Sequence, residues 1–583
     1  MENKQTDNNN EEATKLTVEL QDTNKVTDEV NYSELPPPPD GGYGWVIVLA
    51  SFFCNCIVDG IVYSFGIFLD DFCKYFDVGK GTISWAGSLL SGVYMCVGPI
   101  VSALANKYGC RAVCIAGSIV AALAFTLSTL STNVKVFFIT YGVMGGAGFG
   151  MIYLPAIVFV GYYFEKKRSL ATGIAVCGSG FGAFVFASLS SFLLEKLGGW
   201  KSANLVLACI LLTCIICGAL MRPLQWPEGT NIRELQPLNL DPGVQSSNLA
   251  INKVPTNSTL PTIEETKVSR PINRSMMELK VEERQRSRLN SESDIERMRR
   301  RKSSATGSNK ASRTELDKAV PVMMRKDVFY SGSVQNLKEF QSQKSLTAYR
   351  NSIISLNKLH TGSVEHRQGL KVEEIDSDEA KGCSSILGSL LDVSLLKDWT
   401  FMFLAVSNLF GMAALFVPFF YIVDSAKQQG IENPSSLISI IGITNTFGRI
   451  ACGYVADFPA VNSLLLNNCC LVLCAVALAA VPLCTTFAMY MIASVVFGIG
   501  LAGYMSLTSI ILVDLLGLDK LTNAFGLLIM FRGAAAIFGA PLIGGIYDLT
   551  NSYSASFFAA GGLFAVAAVF SFLAPVVAKY KKS

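Results

Sequence analysis

The sequence predicts an all-α integral membrane fold with twelve transmembrane helices in two six-helix halves. Three observations lead there: charge is scarce, apolar residues come in long continuous runs, and two polar segments divide those runs. Hydrophobic residues make up 51% of the 583-residue chain and charged residues only 16%, against roughly 25% in soluble proteins. The deficit is local, because residues 1–40 and 223–396 are polar and the remainder is correspondingly more apolar.

A spanning helix needs about 20 apolar residues, since it rises about 1.5 Å per residue through a hydrocarbon core roughly 30 Å thick. Six such runs lie near 45–69, 83–105, 112–130, 136–161, 170–193 and 202–221. Six more lie near 399–423, 435–456, 464–484, 487–513, 523–546 and 555–577. The links at 106–111, 131–135, 165–169 and 195–201 are short and force up-and-down neighbours. Barrel strands would alternate over about ten residues each, whereas these runs are continuous. The chain therefore divides into a tail (1–44), a six-helix bundle (45–221), a long loop (222–396), a second bundle (397–577) and a short tail (578–583). The first tail and the loop, rich in Ser, Asn, Arg, Glu and Lys, are expected to be mostly disordered.

Orientation follows from Lys and Arg in the short connections. Placing both ends in the cytoplasm puts Lys107, Arg111, Lys166, Lys167, Arg168, Arg222, Lys397, Lys520, Lys579, Lys581 and Lys582 inside. The opposite face then carries the fewer Lys74, Lys80, Lys135, Lys196, Lys201 and Lys427. The long loop falls on the cytoplasmic side, so its sequons at Asn257 and Asn273 are expected to be unglycosylated. Within it, Arg297 to Ser304 reads as a solvated linker, with a phosphorylation site or an anionic-lipid contact as the sharper readings. The acidic N-terminus lacks the apolar core of a signal peptide, so the first span is expected to direct insertion. A net charge of +3 gives no reason to expect nucleic acid as a partner. The 16 cysteines fall mostly inside apolar runs, and with only two histidines no metal site is expected.

Two segments stand out at the ends of spans. Asp40-Gly41-Gly42-Tyr43-Gly44-Trp45 precedes the first span and reads as an interfacial anchor, with aromatics at headgroup depth and glycines for a tight turn. Tyr163-Phe164, a basic run of Lys166, Lys167 and Arg168, and then Gly173 carry the fourth span into the fifth. There Gly173, Gly178, Gly180 and Gly182 are expected to permit close helix packing. Intramembrane charges cost at least about 2.5 kcal/mol each at mid-bilayer, which draws attention to Asp59, Arg449 and Arg532. Asp59 lies roughly 21 Å along its helix from Trp45, and Arg449 roughly 10 Å from the end of its span. Each has a bland alternative, a buried ion pair or a charge that locks two helices.

The two segments resemble the signatures of the monocarboxylate transporter family, a branch of the major facilitator superfamily. The resemblance covers residues 38–221 and 390–577. It implies the major facilitator fold, a central site between the halves reached by alternating access, and transport of small organic monocarboxylates, with H+ as a co-substrate. Arg449 matches the helix-eight arginine that this family uses for the substrate carboxylate, and a guanidinium suits a carboxylate bidentately. Two departures from the lactate and pyruvate carriers bear on coupling. Tyr63 stands where those carriers have lysine, and Asn445 where they have an aspartate four residues before the arginine. Asn445 shares a helix face with Arg449 but cannot titrate, which leaves Asp59 as the candidate proton acceptor or as the partner of a substrate ammonium. A carrier of zwitterions, aromatic amino acids or creatine-like molecules without proton coupling is the alternative, and a non-transporting receptor or scaffold is the competing class. Asn106 to Arg111 looks like a degraded form of the superfamily's inner-loop motif, with Gly109 and Arg111 kept as gating candidates and Asn106 replacing the usual Asp. Asp457 and Asp514, near helix ends, read as structural. No HExxH, GxSxG or Walker motif is present, so neither an enzyme nor a cofactor is expected. The resemblance further implies a plasma-membrane location and lipid contact, and some members of that family require a single-span glycoprotein chaperone, a need on which this sequence is silent.

Overall fold

The computed structural model describes residues 38–222, 224, 326–343, 349, 393–456, 458 and 461–582. The sequons, the Arg297 to Ser304 stretch and Asp457 lie outside the described residues. Every spanning element is helical, and the described residues belong to one compact unit. In the first half these are α1 (Gly44–Tyr63, continued by Phe65–Phe76), α2 (Lys80–Cys96 and Gly98–Tyr108), α3 (Cys110–Thr129), α4 (Val134–Tyr163), α5 (Arg168–Leu197) and α6 (Trp200–Leu220). The second half supplies α7 (Trp399–Gln428), α8 (Ser436–Ala456), α9 (Ser463–Leu483), α10 (Phe487–Ser506 and Thr508–Leu516), α11 (Leu521–Thr550) and α12 (Tyr553–Lys582).

Ten of these helices are long and apolar enough to cross a membrane, and the bent pair forming α2 makes an eleventh. The twelfth is α8, whose apolar run is interrupted by Asn445 and Arg449. Breaks occur where the chain loses a backbone donor or bends it aside. The two parts of α2 meet at 49°, next to Pro99, because proline has no N–H to give and crowds the preceding turn. In α1 the Ser64 hydroxyl donates to the Gly60 carbonyl at 2.7 Å, competing with the helical bond at the break.

Within each half, α1 packs on α5, α3 on α4, α7 on α11 and α12, and α8 on α10. The halves meet along two close crossings, α2 with α11 and α5 with α8. At the second, a side chain on Gly180 would come within 2.7 Å of the Gly442 carbonyl, and one on Gly442 within 2.6 Å of the Gly180 carbonyl. Only residues without a Cβ let the two backbones come this close. Gly178 and Gly182 serve α1 in the same way, with the Phe52 and Cys56 backbone against them respectively. Gly173 differs: a Cβ there would meet nothing within 4 Å, so it faces open space instead of closing a helix contact.

The helices overrun the apolar runs at both ends. For example, α1 extends to Phe76, α7 to Gln428 and α11 to Thr550. Charged residues on these extra turns, read as loop from composition, turn out to be helical and to meet one another. Residues 326–343 of the long loop also have defined structure, with a 3-10 turn at Val334–Asn336 and a short helix at Lys338–Gln343. Val328, Tyr330, Val334 and Leu337 are buried there against the bundle.

Candidate functional site

Both described chain ends, with the α2–α3, α4–α5 and α10–α11 links, lie at one face, called here the terminal face. The two signature segments meet at it. Asp40 accepts hydrogen bonds through Oδ1 from the backbone N–H groups of Glu165 (2.7 Å), Lys166 (2.8 Å) and Lys167 (3.4 Å). Its own N–H donates to the Tyr163 carbonyl at 3.1 Å. The Tyr43 hydroxyl donates to the Leu220 carbonyl and the Tyr163 hydroxyl to the Arg222 carbonyl, while Trp45 meets Phe164 edge-on at 5.0 Å. The expected headgroup anchor is therefore a clasp that fastens the start of α1 to the start of α5. Its carboxylate faces the donor end of α5, where the helix dipole favours negative charge. Gly42, at φ +55°, supplies the left-handed turn that aims Asp40 at the link. Asp40→Ala is expected to cost about 2 kcal/mol, the worth of charge-assisted bonds, and to lower the melting temperature in detergent. Asp40→Asn, which still accepts, should lower it less.

A cavity of about 170 Å³ lies between the halves. Tyr94, Tyr153, Thr172, Gly173 and Val176 line it from the first half, and Arg449, Met505, Phe525 and Arg532 from the second. Among the described lining residues two are arginines and none is acidic. Arg449 is 3% exposed. Its Nε donates to Asn445 Oδ1 at 2.9 Å, one turn earlier, and its Nη1 to the Val176 carbonyl of α5 at 3.3 Å. Among the described residues, the buried Nη2 and the buried Asn445 amide nitrogen have no hydrogen-bond acceptor within 3.5 Å, the Tyr63 hydroxyl being the neighbouring polar group of the guanidinium. Arg532 is better satisfied: Nε donates to Asn408 Oδ1 at 2.8 Å, Nη2 to Thr508 Oγ1 at 2.7 Å, and the guanidinium lies 5.1 Å from the Tyr504 ring centre. Asn408, Thr508 and Tyr504 had no signal in the sequence beyond being polar residues in apolar runs.

Asp59 lies behind Tyr94 and is not among the lining residues. It accepts hydrogen bonds from the Ser179 hydroxyl and, at 3.5 Å, from the Tyr94 hydroxyl. It forms no ion pair with either arginine among the described residues, although Arg449 is within electrostatic range. Tyr63 is 2% exposed and stacks on Phe419 of α7 at 4.2 Å. Its hydroxyl reaches the electrostatic neighbourhood of both Asp59 and Arg449. The structure thus places Arg449, Asn445, Asp59 and Tyr63 around one point between the halves, with Arg532 on the same cavity.

Of the two gating candidates, Gly109 occupies φ +82° between α2 and α3, a turn that favours glycine. Arg111 is exposed and has no ion pair among the described residues. The ionic locks lie elsewhere. At the face opposite the termini, Lys80 of α2 pairs with Asp424 of α7, which also accepts from the Tyr553 hydroxyl. Asp548 of α11 accepts from the N–H groups of Lys80 (3.2 Å) and Gly81 (2.8 Å), capping α2 from the other half. Lys427 donates to Asp70 at 3.2 Å. These contacts join the two halves and seal that face. Opposite charges on helix ends that share a face were the available signal, in the pattern Asp70, Lys80, Asp424, Lys427 and Asp548.

The comparisons with known proteins agree with this architecture. The Major Facilitator Superfamily profile matches residues 48–484. Human monocarboxylate transporter 14 is 30% identical over 553 residues, covering 93% of this chain and 93% of the relative. Rat monocarboxylate transporter 9 is 27% identical, covering 90% and 91% respectively, and human monocarboxylate transporter 7 is 25% identical, covering 92% and 86%. Among solved structures, the xylose transporter XylE from E. coli, in a partially occluded inward-open conformation, superposes with a TM-score of 0.50. It is 10% identical and covers 91% of this chain and 99% of its own, a likeness of fold.

Proposed function

We propose, from the premise that this chain belongs to the monocarboxylate transporter family of the major facilitator superfamily, that it carries small organic monocarboxylates by alternating access. It is an integral membrane transporter and not an enzyme. One observation supports the substrate class above the others: a cavity whose described lining holds two arginines and no acidic residue, in which Arg449 Nη2 is buried with no hydrogen-bond acceptor within 3.5 Å among the described residues. Buried donors are nearly always paired, and a carboxylate supplies two oxygens in the geometry a guanidinium fits. Asn445 holds the guanidinium by its Nε and the Val176 carbonyl holds Nη1, which leaves Nη2 for substrate.

The same lining disfavours the zwitterion reading, because an ammonium group entering the cavity meets no carboxylate among the described lining residues. Asp59 is committed to Ser179 and Tyr94. Since Asn445 cannot titrate, a coupled proton would bind at Asp59, next to Arg449 and shielded by Tyr94. With the termini taken as cytoplasmic and the membrane as the plasma membrane, the sealed face is extracellular.

The test is uptake into cells expressing the protein, comparing lactate, pyruvate, phenylalanine and creatine with and without an inward proton gradient. Monocarboxylates are expected to enter and the zwitterions to be excluded. Gradient-driven accumulation should vanish in Asp59→Asn while exchange persists. Creatine or phenylalanine uptake with no carboxylate uptake would contradict the reading.

A further inference from the structure

The long loop, a solvated linker by composition, returns to the bundle at residues 326–331 and touches both halves at the terminal face. On the first half, Arg168 at the start of α5 is 1% exposed and pairs with Asp327, which is 0% exposed, at 2.7 Å. Arg168 Nη1 also donates to the Asp327 carbonyl (3.1 Å), Nε to the Phe164 carbonyl (3.1 Å) and Nη2 to the Gly161 carbonyl (2.8 Å). On the second half, Phe329 stacks on Phe525 of α11 at 5.0 Å. Ser331 meets Ser509 of α10, hydroxyl to hydroxyl, at 2.6 Å, and its N–H donates to the same oxygen at 3.3 Å. Lys326 pairs with Asp519 in the α10–α11 link at 2.5 Å, and Thr522 donates to the Lys326 carbonyl at 3.3 Å. Residues 328–331 are themselves part of the cavity wall, beside Gly161 and Ser169 on one side and Ser509 and Phe525 on the other.

We propose that residues 326–331 form a lid over the terminal-face mouth of the cavity, one that must leave for the cavity to exchange solute with that face. Rocking of the halves changes the distance between the α4–α5 and α10–α11 links. A segment fastened to both links cannot stay in place through that motion. The fastening suits reversible release. A buried ion pair draws little net stability, because the desolvation of its charges nearly offsets their attraction. When the lid lifts, Arg168 and Asp327 each regain water. A plug held by apolar contacts alone would lose its full burial energy on opening. The assignment also gives the signature arginine a partner from outside both bundles, 159 residues away in the chain.

The experiment pins the lid. The Ser331 and Ser509 hydroxyls lie 2.6 Å apart, so Ser331→Cys with Ser509→Cys should form a disulfide on mild oxidation. A third change, Thr172→Cys, places a reporter thiol on the cavity wall. A membrane-impermeant maleimide is added to vesicles sorted, by an antibody to an amino-terminal tag, for exposure of the face bearing the termini. The same protein lacking T172C serves as the blank for native cysteines. Labelling of T172C is expected to slow at least tenfold after oxidation and to recover with dithiothreitol. Equal rates in the oxidised and reduced protein would show a fixed wall, and failure of the disulfide to form would remove the segment from the mouth; either overturns the proposal. No substrate enters the assay, so its outcome is independent of what the carrier transports.

Discussion

Arg449→Ala is expected to weaken binding of a monocarboxylate by at least roughly thirtyfold. Truncating one partner of a buried, hydrogen-bonded charge pair costs about 2–5 kcal/mol, and every 1.4 kcal/mol or so is tenfold in affinity. The alanine variant loses both the charge and the bond from Nη1 to Val176 across the halves, so part of the loss could be structural. Arg449→Lys separates the two effects. It keeps the charge but not the planar fork, and should recover a minor part of the affinity with near-normal thermal stability. The readout is ligand-induced thermal stabilisation with pyruvate, which tracks the ratio of ligand concentration to Kd. Unchanged stabilisation in Arg449→Ala would remove the carboxylate role.

The second large effect is expected at the sealed face. Lys80→Ala leaves Asp424 with the Tyr553 hydroxyl but no cation, at a contact that exists only while the halves are closed there. Removing one partner leaves the other charge buried and uncompensated while that face is closed, at a cost of about 3 kcal/mol, so the equilibrium should shift toward opening by on the order of a hundredfold. Ser84, one turn below Lys80 and fully buried against the Tyr421 hydroxyl, is the reporter position. Maleimide labelling of Ser84→Cys from that face should accelerate accordingly in Lys80→Ala and in Asp424→Ala. The double variant should be no faster than the single ones, since both remove one shared interaction. Additive acceleration would mean that the two residues act separately.

Much of the fold was legible because spanning helices are constrained one at a time. A run of apolar residues must be a helix in lipid whatever it packs against, so twelve runs and two polar divisions sufficed. The helix-face argument placed Asn445 beside Arg449, and the observed bond from Nε to Oδ1 has that geometry. The glycines of α5 were readable for the same local reason, except Gly173, whose open surroundings depend on the cavity. What escaped the sequence was pairing between distant residues. Lys80 and Asp424 are 344 residues apart, and Arg168 and Asp327 are 159 apart, the latter in a segment that composition assigned to disorder. The sequence offers Asp59 a buried arginine as ion-pair partner, but Ser179 and Tyr94, neither conspicuous in sequence, take it instead. The Asp40 to Trp45 segment shows the same limit. Its aromatics suggest a lipid interface, while the decisive group is the Asp40 carboxylate, which accepts from backbone N–H groups of another helix link.

The central claim, a carrier that recognises a free carboxylate at Arg449, is tested most directly by counterflow in proteoliposomes. Purified protein is reconstituted with excess unlabelled pyruvate inside, and trace labelled pyruvate or labelled pyruvamide is offered outside. Labelled pyruvate is expected to overshoot its equilibrium level transiently and saturably, and the uncharged amide to show no overshoot. Equal counterflow of the amide, or none of pyruvate and lactate alike from protein that retains its fold, would contradict the account.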